Sequence, residues 1–277
     1  MVIGVHPESG VAEDSEVAVA LRAHGLRLSY GGPVVSEDLE VIVPPGKITV
    51  LVGPNACGKS TLLRALARLL RPEKGAVFLG DENVTQLSAR DMALRLSLLP
   101  QSPQAPEGIT VRELVGRGRT PHQRWWRQWS AADEQMVDEA LHATGTEELA
   151  DRSVDELSGG QRQRVWIAMT LAQDSPIVLL DEPTTYLDLA HQVDVLRLIS
   201  RLNREKGRTI VMVLHELNQA ARYADHLVAM RQGRIIAAGS AAEVITPDVV
   251  EEVFGLPVVV VPSPVTGTPL VIPSEPS

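Results

Sequence analysis

Cysteine, aromatic side chains, lysine and long apolar runs are all scarce in this 277-residue chain. Cys57 is the single cysteine, so neither a disulfide framework nor a cysteine metal cluster can form within one chain. A reducing compartment is the natural setting for such usage. No stretch approaches the ~20 consecutive apolar residues that span a bilayer. The first residues carry Glu8, Glu13, Asp14 and Glu16 where a signal peptide would have a basic start and an apolar run. A soluble protein is expected, with any membrane association made through a partner. The net charge is −9, and without a basic face the chain has no general attraction for nucleic acid. A local phosphate site is still open to it, because a small anion needs only a local positive group. Lys47, Lys59, Lys74 and Lys206 are the only lysines, and one of them falls in the most informative motif.

What is present is a pattern of short apolar strands and helices. Residues 1–19 are small, acidic and aperiodic, and are expected to form a flexible tail. Short strands are predicted between Leu21 and Val43, with a Gly31-Gly32-Pro33 turn between them. An apolar strand, Ile48 to Val52, leads through a glycine-rich turn into a helix. That helix repeats apolar residues at Leu62, Leu66 and Leu69/Leu70 and is expected to stop at Arg71-Pro72. A second buried strand is predicted at Leu96–Leu99. From about 102 to 158 helical signals replace strands, with Thr110-x-x-Glu113 and Ser130-x-x-Asp133 at capping-box spacing. Strand signals return at Ile177–Leu180, Thr209–Leu214 and His226–Met230, and Gln232-Gly233-Arg234 reads as a hairpin turn. Strands alternating with helices imply a parallel sheet wrapped by helices. The expected division is one domain over 20–262, a helical insertion at about 102–158, and a short, proline-rich, poorly ordered tail over 263–277.

Gly53-Pro54-Asn55-Ala56-Cys57-Gly58-Lys59-Ser60-Thr61 satisfies G-x-x-x-x-G-K-[ST] between an apolar strand and a helix. Glycines allow the backbone to curl until successive N–H groups face one anion, and the helix start adds its positive end. Lys59 would bring a full charge to the β- and γ-phosphates, and Ser60 a hydroxyl to Mg²⁺. A chance match in a glycine-bearing turn is the competing explanation, and the strand–turn–helix context argues against it. Ile177-Val178-Leu179-Leu180-Asp181-Glu182-Pro183 is an apolar strand ending in two acids, at the strand tip where α/β sheets hold ligands. Asp181 can serve Mg²⁺ there, while Glu182, one residue on, points elsewhere and can polarise a water. By itself the acidic tip could equally be a plain helix cap.

Leu157-Ser158-Gly159-Gly160-Gln161-Arg162-Gln163-Arg164 stands between these two motifs and resembles the signature of the ABC ATPases. Asp181-Glu182-Pro183-Thr184-Thr185-Tyr186-Leu187-Asp188 is similar to that family's acidic strand and dimer-interface loop. Gln101 matches its Q-loop glutamine, His215 its switch histidine, and Tyr30 the aromatic that stacks on adenine. The resemblance covers roughly residues 20–262. It implies a P-loop NTPase (RecA-like) α/β core with a mostly parallel sheet, an antiparallel β subdomain near the N-terminus and a helical insertion subdomain. It also implies that two copies bury two ATPs head to tail. Gly53 to Thr61 and Asp181 of one copy would hold ATP and Mg²⁺, and Ser158, Gly159, Gly160, Gln161 and Asp188 of the other would complete the site. Glu182 is implied as the residue that activates water, with Gln101 and His215 sensing the γ-phosphate. Ser60, Gln101 and Asp181 are the implied metal residues.

Among ABC proteins, the absence of fused membrane helices, of a second phosphate loop and of an appended regulatory domain points to a compact importer subunit. Gly116-Arg117-Gly118-Arg119-Thr120-Pro121-His122, His215-Glu216-Leu217-Asn218 and Gly267-Thr268-Pro269-Leu270-Val271-Ile272-Pro273 resemble ferric-siderophore importer ATPases. Haem or cobalamin import, and a soluble ABC ATPase acting on another assembly, are the alternatives. The resemblance implies a multi-spanning permease partner, an indirect siderophore-binding protein, and a peripheral place at the cytoplasmic face of the inner membrane. Three of the four tryptophans lie in Arg124-Trp125-Trp126-Arg127-Gln128-Trp129, which either covers the helical subdomain or meets the permease. Cys57 is expected to be merely a small loop residue, with oxidation sensitivity of its thiol as the alternative.

Overall fold

A computed structural model describes residues 20–123 and 129–274. The expected tail over 1–19, and Trp125 and Trp126, lie outside the described residues. Strands β1 (Leu21–Ser29) and β2 (Val34–Val43) pair antiparallel. On β2 the buried side chains are Ser36, then Leu39, Val41 and Val43. The step of three between Ser36 and Leu39 coincides with Asp38 at φ 53° and a register shift. This is a bulge that returns the apolar alternation to the same face.

After β3 (Ile48–Val52) and α1 (Lys59–Leu66) come β4 (Lys74–Leu79), β5 (Glu82–Asn83), α2 (Ala89–Arg95) and β6 (Leu96–Leu99). Helix α1 ends at Leu66 rather than at Arg71-Pro72. Arg68 turns to φ 58°, and its guanidinium donates to the carbonyls of Val84 and Leu87 at 3.0 and 2.6 Å. Leu69 is left exposed while Leu70 packs on the core. Adjacent leucines imitated one more helical turn. Strands β4 and β5 complete a four-stranded antiparallel sheet in the order β2-β1-β4-β5.

The helical layer is α3 (Val111–Gly116), α4 (Ala131–Thr144) and α5 (Gly159–Ala172). Thr110/Glu113 and Ser130/Asp133 both form reciprocal capping boxes at the starts of α3 and α4. Arg119 lies buried between helices, donating to Asp133 at 3.0 Å and to the Ala172 carbonyl at 2.7 Å. Then follow β7 (Ile177–Leu180), α6 (Leu189–Lys206), β8 (Thr209–Val213), α7 (Leu217–Tyr223), β9 (His226–Arg231), β10 (Arg234–Gly239), α8 (Ala241–Val244) and α9 (Pro247–Phe254). The central sheet has the order β10-β9-β3-β8-β7-β6, and every neighbouring pair is parallel except β10–β9. Gln232 and Gly233, both at positive φ, make the tight turn between β9 and β10.

Alternate residues of the central strands feed two separate cores. Ile48, Val50, Val52, Val178, Leu180, Ile210 and Met212 join the helical layer. Leu51, Ile177, Leu179, Val211 and Val213 join α1 and the antiparallel sheet. A sheet covered on both faces explains why these strands read as unbroken apolar runs. The C-terminal expectation needs correction. Strands β11 (Val258–Pro262) and β12 (Pro269–Pro273) form an antiparallel hairpin. Asn218 of α7 holds it, donating to the Val271 carbonyl at 3.2 Å and accepting from the Val271 N–H at 2.7 Å. Pro262, Pro269 and Pro273 occupy the end positions of the paired stretch, and Val271 is buried, so this end has the apolar contacts that a disordered tail lacks.

Candidate functional site

Strand β3 delivers the chain into the turn that precedes α1, and its glycines are required by contact as well as by angle. Gly53 has φ 149°, and a Cβ there would lie 2.1 Å from the Met230 carbonyl oxygen. Gly58 has φ 106° and meets Ser36 Oγ at 3.2 Å in the same sense. Lys59 is buried, and its ammonium donates to the carbonyls of Gly53 at 2.8 Å and Pro54 at 2.9 Å. The loop thereby satisfies a buried cation that would otherwise be costly. Cys57 is buried as well, with Sγ 3.8 Å from the Lys59 ammonium.

Strand β7 supplies the opposite wall. The Asp181 N–H continues the ladder to the Leu99 carbonyl at 2.9 Å, and Asp181 Oδ1 accepts from Ser60 Oγ at 2.8 Å. Burial pushes the Asp181 carboxyl above its ordinary range, and the neighbouring Glu182 charge adds to this; the Ser60 bond opposes both without cancelling them. Glu182 sits at φ 54°, a left-handed conformation uncommon for a non-glycine residue. Its carboxylate takes different partners from that of Asp181. Glu182 Oε1 lies 2.8 Å from His215 Nε2. Its Oε2 accepts from Gln101 Nε2 at 2.6 Å and Thr185 Oγ1 at 2.9 Å. Burial would raise this carboxyl, but the bonds from His215, Thr185 and Gln101 together outweigh it, and the net displacement is downward.

The tips of β3, β6, β7 and β8 thus bring Lys59, Ser60, Gln101, Glu182 and His215 around a cleft of about 670 Å³. Asn55, Ala56, Cys57, Gly58 and Thr61 also line it. Asp181 stands behind Ser60, and Gly53 and Pro54 stand behind Lys59. Two oxygen donors, Ser60 Oγ and Asp181 Oδ1, in contact at one end suit a hard divalent cation such as Mg²⁺. Curled backbone, helix start and ammonium suit phosphate oxygens.

Other expected residues are elsewhere. Ser158, Gly159, Gly160 and Gln161 form the start of α5, where Ser158 caps the helix and Gln161 reciprocates; none of them lines the cleft. Asp188 caps α6 and is exposed. Tyr30 is 57% exposed and accepts from Arg64 at 3.3 Å, outside the cleft lining. Two lining residues escaped the sequence reading. Thr185 stood inside a quoted motif, but its bond to Glu182 depends on the left-handed turn. Val35 reaches the cleft from β2, and no local pattern signals that.

A family model described as ABC transporter matches residues 36–185. The chain is 55% identical to the achromobactin transport ATP-binding protein of Dickeya dadantii, over 92% of its own length and 94% of the relative's. It is 52% identical to the ferric enterobactin transport ATP-binding protein of Escherichia coli, over 94% and 96% of the two lengths. A bacterial ABC transporter cassette solved as a dimer superposes with a TM-score of 0.70 at 26% identity, covering 79% of this chain and 98% of that one. A phosphate-binding turn facing an acidic strand tip, on a sheet of this order, together with near full-length relatives, places the chain in the ABC transporter family as an ATP-binding, ATP-hydrolysing subunit.

Proposed function

We propose that this subunit energises import of iron–siderophore complexes through a multi-spanning permease, to which it binds at the cytoplasmic face of the inner membrane. What carries the cargo assignment is similarity over nearly the whole length to ATP-binding proteins named for achromobactin and ferric enterobactin transport. A siderophore-binding protein would act on the far side of the permease, and this subunit would not touch the cargo.

The site residues take the following roles in this proposal. Lys59 exchanges its two loop carbonyls for phosphate oxygens, and the N–H groups of the turn and the start of α1 hold the remaining charge. Ser60 and Asp181, with Gln101 lining the same cleft as Ser60, would hold Mg²⁺, which when bound would neutralise phosphate charge. Glu182 is the base. Its lowered pKa keeps it ionised, and it must trade one of its present donors for the attacking water before it can accept a proton. His215 and Gln101 each already hold one of its two oxygens, so a shift at either is felt at the base. Gly53, Pro54, Asn55, Ala56, Cys57, Gly58 and Thr61 shape the pocket, and Tyr30 stacks on the base of the nucleotide. A second copy would complete the site with Ser158, Gly159, Gly160, Gln161 and Asp188, which supports a head-to-tail dimer.

The test is growth of a strain lacking this gene, complemented by the parent or by Lys59→Ala, with iron offered as single ferric siderophores, haem or free salt, and separately with cobalamin as the required supplement. Growth restored by the parent alone, and only on one or more ferric siderophores, is expected. Loss of haem or cobalamin use with normal siderophore use would overturn the cargo assignment.

A further inference from the structure

We infer that His191 is a positioning residue: its imidazole sets the distance between the Ser158–Gln161 turn and the Asp188 loop within one protomer. This rests on the proposed two-copy ATP site, to which both segments would contribute. His191 lies in the first turn of α6. Its backbone N–H donates to Asp188 Oδ1 at 2.9 Å, and its Nδ1 lies 2.7 Å from the same oxygen. The ring is therefore held by the residue that caps its own helix.

The other side of that ring meets Gly160. A Cβ built on Gly160 would fall 2.4 Å from His191 Cδ2, 3.0 Å from Cγ and 3.1 Å from Nε2, and these are its three nearest heavy atoms. Gly160 is buried while Ser158 and Gly159 are exposed, and a Cβ on Gly159 would meet nothing within 4 Å. The two glycines consequently differ in purpose. Gly159 leaves the outer surface clear, whereas Gly160 lets the turn rest directly on the imidazole. The internal shape of the turn is already fixed, since Ser158 Oγ accepts from the Gln161 N–H at 3.3 Å and Gln161 Oε1 from the Ser158 N–H at 3.1 Å. A capping box cannot set where the turn stands relative to α6. The His191 ring supplies that spacing, and a facing copy would meet both segments at once.

The test uses the full chain carrying Glu182→Gln, so that ATP is retained, with and without His191→Ala, His191→Asn or His191→Phe. Asn keeps a donor toward Asp188 without the ring, and Phe keeps a ring without the donor. MgATP affinity is measured at protein concentrations too low for self-association, dimerisation by sedimentation with MgATP, and kcat in the Glu182 background. Single-copy affinity and melting temperature are expected to stay within about twofold and a degree or two of the parent. The dimerisation midpoint should rise ~10-fold for Ala, with a similar fall in kcat and smaller effects for Asn and Phe; tenfold corresponds to about 1.4 kcal/mol. Dimerisation and kcat of His191→Ala within about twofold of the parent would overturn the inference. So would an equal loss of single-copy affinity, which marks general damage. If the parent itself binds MgATP without dimerising, the two-copy reading fails and takes the inference with it.

Discussion

Asp181 and Glu182 are neighbours in sequence whose carboxyls are displaced in opposite directions. Asp181 is buried against Ser60, and Glu182 takes bonds from Gln101 and His215 of two other segments and from Thr185 of its own turn. A carboxyl raised in the folded state keeps its proton longer there, so its contribution to stability falls as pH climbs from the ordinary aspartate range through the raised value. Asp181→Asn should therefore melt higher than the parent at neutral pH without nucleotide, and the gain should vanish in acid, where both carry no charge. Scanning calorimetry across pH decides this, and an Asn variant that melts lower at neutral pH would count against the burial argument. Glu182 has the reverse sign: its stabilisation is present above the ordinary glutamate range and is lost as pH falls through the lowered value. Its substitution by glutamine should leave ATP binding and ATP-driven dimerisation intact while slowing hydrolysis at least ~100-fold. Normal turnover by Glu182→Gln would remove it from the role of base. Lys59, Ser60 and Asp181 were legible because phosphate chemistry prescribes residue types at fixed spacing. Thr185 was not, since its contact is made by a φ 54° turn at Glu182 that no composition rule announces.

Helices and strands were legible wherever capping or a short apolar run acts locally, as at Thr110, Ser130 and Ile48–Val52. They were misread where a distant partner decides. Helix α1 stops early at a left-handed cap on a non-glycine residue, Arg68, where the Leu69 N–H donates to the Arg64 carbonyl at 2.8 Å and the Arg68 N–H to the Ala65 carbonyl at 3.0 Å, while two carbonyls from the segment after β5 hold the Arg68 guanidinium. The C-terminal hairpin is held by Asn218, 53 residues before Val271, whose amide meets both backbone polar groups of that residue. Asn218→Ala should cost about 1–3 kcal/mol, the penalty of leaving a buried backbone group unsatisfied. Hydrogen exchange would then speed up at Val258–Pro273 before the central strands respond. Within the helical layer, Arg119→Met leaves Asp133 Oδ1 and the Ala172 carbonyl without their guanidinium donor. A loss of about 3 kcal/mol is expected in denaturant unfolding, and a loss well under 1 kcal/mol would mean that water replaces the guanidinium.

At the scale of the whole molecule, the cleft assembled by the strand tips lacks Ser158, Gly160 and Asp188, which belong to the starts of α5 and α6. Hydrolysis by the isolated subunit should rise more steeply than in proportion to its concentration until dimers dominate, and a strictly linear dependence would show that one copy suffices. The central sheet adds a further consequence. Because Val50 faces one interior and Leu51 the other, a single step along β3 exchanges the audience to which a side chain speaks. The loops bearing Lys59, Gln101, Glu182 and His215 spring from strands clamped between these two interiors, so their alignment records the tension of both. Shaving methyl groups from opposite faces, at positions that never touch, should disturb the same few ångströms of chemistry.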